Sequence, residues 1–258
     1  MPSPAARPAP DKSTLLALDP FPGLTLAQVR APSRDDELAA AWADLRAQRF
    51  VGFDTEAKPT FAKGEVSGGP DVVQFATAST AYVLQLRHAA SEDLVRQVLA
   101  ERAVIKVGFG LGQDQQQLQQ RLGTIAQPLL DLDRVFRRLG HGRTIGIKTA
   151  VAIVFNQRFV KSKRVTTSNW ARHPLEPRQL LYAANDAWVA LRVLQALGLD
   201  EHELPIWPHG VPSATDDRRP AHPRPVPPEG ASHDAAGAET PRRRRRRRPL
   251  RPPQEPPT

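Results

Sequence analysis

Two spacings of apolar residues run through the chain. Alternating or continuous bulky and β-branched residues read as strands, and apolar positions recurring every three to four residues read as helices. Residues 49–56 carry Phe50, Val51 and Phe53 before two acids, so they read as a buried strand whose carboxyl end turns polar. Residues 71–77 (Val72, Val73, Phe75) and 81–86 (Tyr82, Val83, Leu84, Leu86) read as two further strands, and the polar turn between them predicts a hairpin. Short apolar runs at 104–107 and 129–132 add two buried strands. Helical spacing covers 35–48 (Leu38, Ala41, Trp42, Leu45), with Ser33 as N-cap and Asp36 at the third helical position. It returns at 91–101, 112–122, 133–139 and 147–155, and a last long helix starts near Pro177 and runs to about Leu197. Within 112–122, the stretch from Gln116 to Gln120 is expected to face water. Residues 58–70, with three glycines and two prolines, and the basic, hydroxyl-rich stretch 161–170 read as loops. No internal repeat is visible.

Both ends depart from this pattern. Residues 1–23 hold six prolines and no periodic apolar face, which predicts a flexible lead-in. Residues 201–258 hold fourteen prolines, and seven consecutive arginines run from Arg242 to Arg248. Such a segment buries too little apolar surface to offset its ordering entropy, so a disordered Pro/Arg-rich tail is expected over 208–258. The folded unit is then expected over 24–207.

Composition narrows the chemistry. The 258 residues are 40% hydrophobic, enough for one domain with a sizeable core. With no cysteine, disulfides, thiolate-held zinc, iron–sulfur clusters and a thiol nucleophile are excluded. The lack of cysteine also fits a reducing compartment, and a cytoplasmic location, a bacterial-type cytosol or nucleoid, is expected. A net charge of +9 and a pI near 10.5 favour polyanionic partners such as nucleic acid. No apolar run of about 18 residues occurs, so no membrane span is expected. The N-terminus lacks the basic-then-apolar order of a secretory signal.

Asp54 and Glu56 lie two apart on the first strand and so point to one face. Two carboxylates held that close repel unless something positive sits between them, and a hard divalent cation is the usual partner of carboxylate oxygen. A strand running into an acidic, solvated turn would show the same two residues. Asp114 follows a glycine-broken turn near the start of a helix, where an acid also complements the helix dipole. Tyr182 and Asp186 stand at i and i+4 in the last helix and share a face, with small alanines between them. Four carboxylates from separate elements can hold two metal ions for phosphodiester hydrolysis, and a tyrosine hydroxyl in the same cavity can orient or help deprotonate the attacking water.

The motifs Phe53-Asp54-Thr55-Glu56, Lys106-Val107-Gly108 with Asp114 and Leu118, and Tyr182-Ala183-Ala184-Asn185-Asp186-Ala187 occur in that order. Carrying them, the chain resembles the DEDDy 3′–5′ exonucleases of the ribonuclease D and Werner-helicase exonuclease type, over roughly residues 35–197. Ser168-Asn169-Trp170 ahead of Pro174-Leu175 looks closer to the Werner-type branch. The resemblance implies an α/β, RNase H-like fold: a mixed sheet of five to six strands flanked by helices. It implies two divalent ions, Mg²⁺ or Mn²⁺, held by Asp54, Glu56, Asp114 and Asp186, with Tyr182 near the nucleophilic water. The implied activity is release of nucleoside 5′-monophosphates from the free 3′ end of DNA or RNA. Lys161, Lys163 and Arg164 are candidate contacts to substrate phosphates, although a basic run is as often a solvated face. The glycines around Phe109 read as places of close backbone approach rather than a phosphate loop. The rival reading is a catalytically silent nucleic-acid-binding module that uses the same fold and the basic tail.

Overall fold

The computed structural model describes residues 7–60 and 68–207. The tail 208–258, residues 1–6 and most of the 58–70 loop lie outside the described residues. Among the described residues the sheet has six strands in the order β1-β4-β3-β2-β5-β6: β1 (Val29–Arg30), β2 (Phe50–Glu56), β3 (Val72–Ala76), β4 (Ala81–Gln85), β5 (Ile105–Gly108) and β6 (Leu129–Asp131). β3 runs antiparallel to both β2 and β4, which is the predicted hairpin, while β2–β5, β5–β6 and β1–β4 are parallel. The sheet is therefore mixed. Every residue of β3 and β5 is buried, as expected for strands covered on both faces. The two-residue edge strand β1 is too short to show a period in the sequence.

On one face lie α2 (Asp35–Arg46), α3 (Ala89–Ala100) and α4 (Gly112–Leu122), around a core that includes Leu45, Phe53, Phe75, Leu99 and Leu118. On the other lie α5 (Leu132–Arg138), α6 (Ile147–Phe155) and α8 (Pro177–Leu197), with Val107, Phe136, Val151 and Val193 between them and the sheet. The short α7 (Lys163–Thr166) packs near α8, and the fully buried Trp170 fills the space beside it. α8 starts with Pro177 in its first turn and ends at Gly198 in the left-handed conformation, the usual start and stop signals. Among the described residues, no helix is long and apolar enough to cross a membrane.

Two details differ from the sequence expectation. α2 begins after Arg34 rather than Ser33, because the Glu37 carboxylate turns back to accept the backbone N–H groups of Ser33 and Arg34 at 3.1 and 3.3 Å. The described part of the lead-in, residues 7–23, carries regular structure where none was predicted. α1 (Lys12–Ala17) has no buried residue and is started by the Asp11 carboxylate, which accepts from Thr14 N–H at 2.8 Å, so it leaves no apolar period to read. Further on, Phe21 packs 4.7 Å from Phe155 and 6.1 Å from Trp188, ring centre to ring centre. Phe21 N–H donates to Arg158 O at 2.9 Å, and Leu24 N–H donates to Asn185 Oδ1 at 2.8 Å. Single apolar residues spaced irregularly along a coil pin it to α6 and α8.

Candidate active site

The site forms where the carboxyl end of β2 meets the middle of α8. The face α8 turns to the sheet is built of alanines, with Ala183, Ala184, Ala187 and Ala190 all buried. β2 answers with Gly52: a Cβ there would lie 1.9 Å from the Ala187 carbonyl oxygen. Backbone thus meets backbone, and Asp186 is brought against Asp54 and Glu56. One oxygen from each of these three carboxylates lies within 4.8 Å of the other two.

Asp114 arrives from the opposite side. After β5 the chain turns at Gly110, whose φ is +66°, and enters α4. The buried Asp131 carboxylate fixes that turn by accepting from Gly110 N–H at 2.9 Å and Leu111 N–H at 3.1 Å. Gly108 makes room for it, since a Cβ there would stand 2.5 Å from the Phe53 carbonyl oxygen. Asp114 then accepts the hydroxyl of Thr55, the residue between the two β2 acids. Three of the four acids anticipated from the sequence form one group, and the fourth is tied to its edge through Thr55.

The group is electrostatically tense. At an effective dielectric of about 20, two unit charges 4.8 Å apart repel by roughly 3–4 kcal/mol, so three such pairs rival the whole stability of a domain. Compensation is obligatory, and the acids take part of it from protons. Burial, reinforced by the charges of Asp186, Asp114 and Glu56, holds the Asp54 carboxyl well above the usual carboxylate range. Burial and then Asp186 push Glu56 up to about 8. Burial lifts Asp186 to about 6 against the pull of Lys161, and burial raises Asp114 despite its Thr55 hydrogen bond.

The rest comes from Lys161. Its Nζ lies 2.6 Å from Asp186 Oδ2 and 4.9 Å from the centre of the Tyr182 ring. Lys161 therefore points inward, while Lys163 and Arg164 on α7 are exposed. The Tyr182 hydroxyl is 2.8 Å from Thr166 Oγ1, and burial followed by the Asp186 charge pushes it up to about 12. Gln74 stands opposite Asp54 in the sheet, fully buried, with neither amide atom hydrogen-bonded among the described residues. Lys148 at the start of α6 adds a weaker positive field on Asp186.

A family profile described as 3′–5′ exonuclease matches residues 29–200. The chain belongs to the 3′–5′ exonuclease family. A ribonuclease D from Granulibacter bethesdensis is 34% identical over 170 residues, covering 64% of this chain and 40% of that protein. A 3′–5′ exonuclease from Arabidopsis thaliana is 27% identical over 150 residues, covering 57% and 52%. The exonuclease domain of Aedes aegypti Nibbler has the same fold, with a TM-score of 0.58 at 24% identity over 67% of this chain and 88% of that one. Both branches named in the sequence resemblance occur among the relatives, since the mouse bifunctional exonuclease/helicase WRN is 28% identical over 153 residues. The chain spans about half or less of the length of these curated relatives.

The residues present fit divalent metal. The donors are hard carboxylate oxygens, they are close enough to share an ion, and a side-chain ammonium already sits against one of them. The unpartnered Gln74 amide beside Asp54 leaves buried polar capacity for a hydrated ion. Several of these residues were invisible to sequence reasoning. Asp131 and Gln74 sit inside strand patterns, and Thr55 was only the spacer between two acids. Gly52 did carry a signal, because glycine in a strand interior marks close backbone approach.

Proposed function

We propose that the chain is a metal-dependent exonuclease that removes nucleotides one at a time from the free 3′ end of DNA or RNA. The observation that carries this reading is the Asp54–Glu56–Asp186 group, with oxygens within 4.8 Å of one another and proton affinities raised chiefly by burial. Asp54, Glu56 and Asp186 would hold the metal, and Asp114 would complete a four-carboxylate set for two ions, Mg²⁺ or Mn²⁺. Bound there, the ions supply activation of the attacking water and stabilisation of the leaving oxygen. Hydrolysis breaks the bond between phosphorus and the 3′ oxygen of the preceding sugar, leaving a shortened strand with a 3′-hydroxyl and a nucleoside 5′-monophosphate.

The chain's own residues act around that step. Burial and the Asp186 charge raise the proton affinity of the Tyr182 hydroxyl, so the residue is a neutral phenol in the metal-free site at neutral pH. It is placed to orient the attacking water or a phosphate oxygen, or to help deprotonate that water. Thr166, 2.8 Å away, fixes the direction of that hydroxyl. The exposed Lys163 and Arg164 on α7 supply charge for the strand backbone, which positions without reading sequence. The ribonuclease D relative favours RNA as a substrate, and the overall positive charge suits either polymer.

The test is digestion of 5′-labelled single- and double-stranded DNA and RNA with Mg²⁺ or Mn²⁺. A ladder that shortens stepwise from the 3′ end supports the reading. Internal cuts, or shortening that persists in excess chelator, overturn it.

A further inference from the structure

Lys161 occupies a position that its sequence context does not announce. It lies on the link between Arg158, bridged to Pro20, and the start of α7. The link is anchored by Phe159 and Val165, 6% exposed each, and Val160 between them is 64% exposed. Neither Val160 nor Lys161 makes a backbone–backbone hydrogen bond among the described residues. Between those two anchors the Val160–Lys161 stretch is held by the Lys161 side chain rather than by its backbone, and a stretch with few backbone bonds opens at low cost. The ammonium is 2.6 Å from an Asp186 whose side chain is 2% exposed, and its charge also reaches Asp54 and Glu56.

This is the same carboxylate group assigned above to divalent metal, and the inference rests on that reading. An ammonium and a divalent ion held by one buried carboxylate repel each other at short range and compete for the same negative charge. We propose that Lys161 is a displaceable internal cation. It neutralises the site in the metal-free protein, metal binding evicts it, and the freed ammonium then swings to the rim beside Tyr182 as a phosphate contact. Metal loading would thereby switch on part of the substrate-binding charge, so that the strand is gripped at this point only when the ions are in place.

The test uses the full chain and lysine-resolved reductive methylation read by mass spectrometry, in chelator and in saturating Mg²⁺, with metal binding followed by calorimetry on the same samples. Methylation of Lys161 should be slow in chelator and rise about tenfold with Mg²⁺, the change expected when a side chain closed in most molecules becomes open in most. Lys106, buried in β5, should stay protected in both conditions, and the exposed Lys12 on α1 should react equally in both. Asp186→Asn should expose Lys161 with or without metal. If Mg²⁺ binds and Lys161 reactivity does not rise, the displacement is wrong while the metal reading stands. If no metal binds the wild-type protein, the metal reading fails and this inference falls with it.

Discussion

Gly52 and Ala187 touch backbone to backbone: a Cβ on Gly52 would sit 1.9 Å from the Ala187 carbonyl oxygen. Asp54 is two residues along one element and Asp186 is the neighbour of Ala187 on the other, so this contact sets the spacing of the acids. Gly52→Ala must push α8 away from β2. Overpacking of this kind costs about 1–3 kcal/mol, and in a chain of this size each kcal/mol lowers the melting temperature by about 2–4 °C. Thermal unfolding should show that drop, and calorimetry should show weaker Mn²⁺ binding. An unchanged melting temperature together with unchanged metal affinity would mean that the contact does not govern the site.

Tyr182→Phe keeps the ring 5.9 Å from Trp170 and removes only the hydroxyl next to Thr166. If that hydroxyl orients the reacting water or phosphate oxygen, kcat should fall by about 10²-fold with KM nearly constant. Steady-state kinetics on a single-stranded substrate would separate the two. A loss confined to KM would instead assign the hydroxyl to ground-state binding.

Lys106 offers a pH test away from the acids. It is fully buried in β5, and its Nζ lies 2.9, 2.9 and 2.6 Å from the carbonyl oxygens of Glu101, Val104 and Gln127, all three of which the ammonium can serve and only two of which the neutral amine can. Burial pulls its pKa from 10.5 down to about 7, against the charge of Glu101. Between those two values the unfolded chain holds a proton that the folded chain has released, so stability attributable to Lys106 rises with pH across that window. Lys106→Met leaves buried acceptors unpaired, at about 1–3 kcal/mol for each that water cannot reach. Chemical denaturation of both proteins should show the deficit of Lys106→Met widening from about pH 7 to pH 10. A deficit that stays level or shrinks over that range would show the lysine is charged when folded.

The strands and helices were legible because burial here follows period. β3 and β5 are apolar apart from Gln74 and Lys106, and α4, α6 and α8 begin where the glycines and Pro177 indicate. The acids were legible because Asp54 and Glu56 lie two apart on a strand and Tyr182 and Asp186 four apart on a helix. What stayed hidden depends on long-range contact. Lys161 belongs to a basic, solvent-like run and yet turns inward, because three carboxylates offer it more than water does. Asp131 and Gln74 look like polar interruptions of strands until the loop before α4 and the neighbouring Asp54 are in place. α1 and the Phe21 contacts escaped because a capped turn and one isolated ring leave no periodic trace.

The arginine run Arg242 to Arg248 lies outside the described residues, and its charge alone supports a prediction. If three or four of these arginines engage phosphate at once, deleting residues 208–258 should flatten the log–log salt dependence of single-strand binding by roughly 2–3. Turnover at saturating substrate should persist. Equal slopes for the full and shortened chains between about 50 and 200 mM salt would show that the tail does not touch the strand.

The most direct measurement is the initial rate of 3′-end shortening of a 5′-labelled strand in Mn²⁺, compared among wild type, Asp54→Asn and Asp186→Asn, with melting temperatures taken alongside. Each substitution removes one carboxylate from the group within 4.8 Å, and Asp54→Asn also relieves repulsion among the acids. Both variants should lose about 10³-fold or more in rate, with the melting temperature of Asp54→Asn in chelator equal to or above wild type. A folded variant that shortens the strand at the wild-type rate would contradict the metal reading.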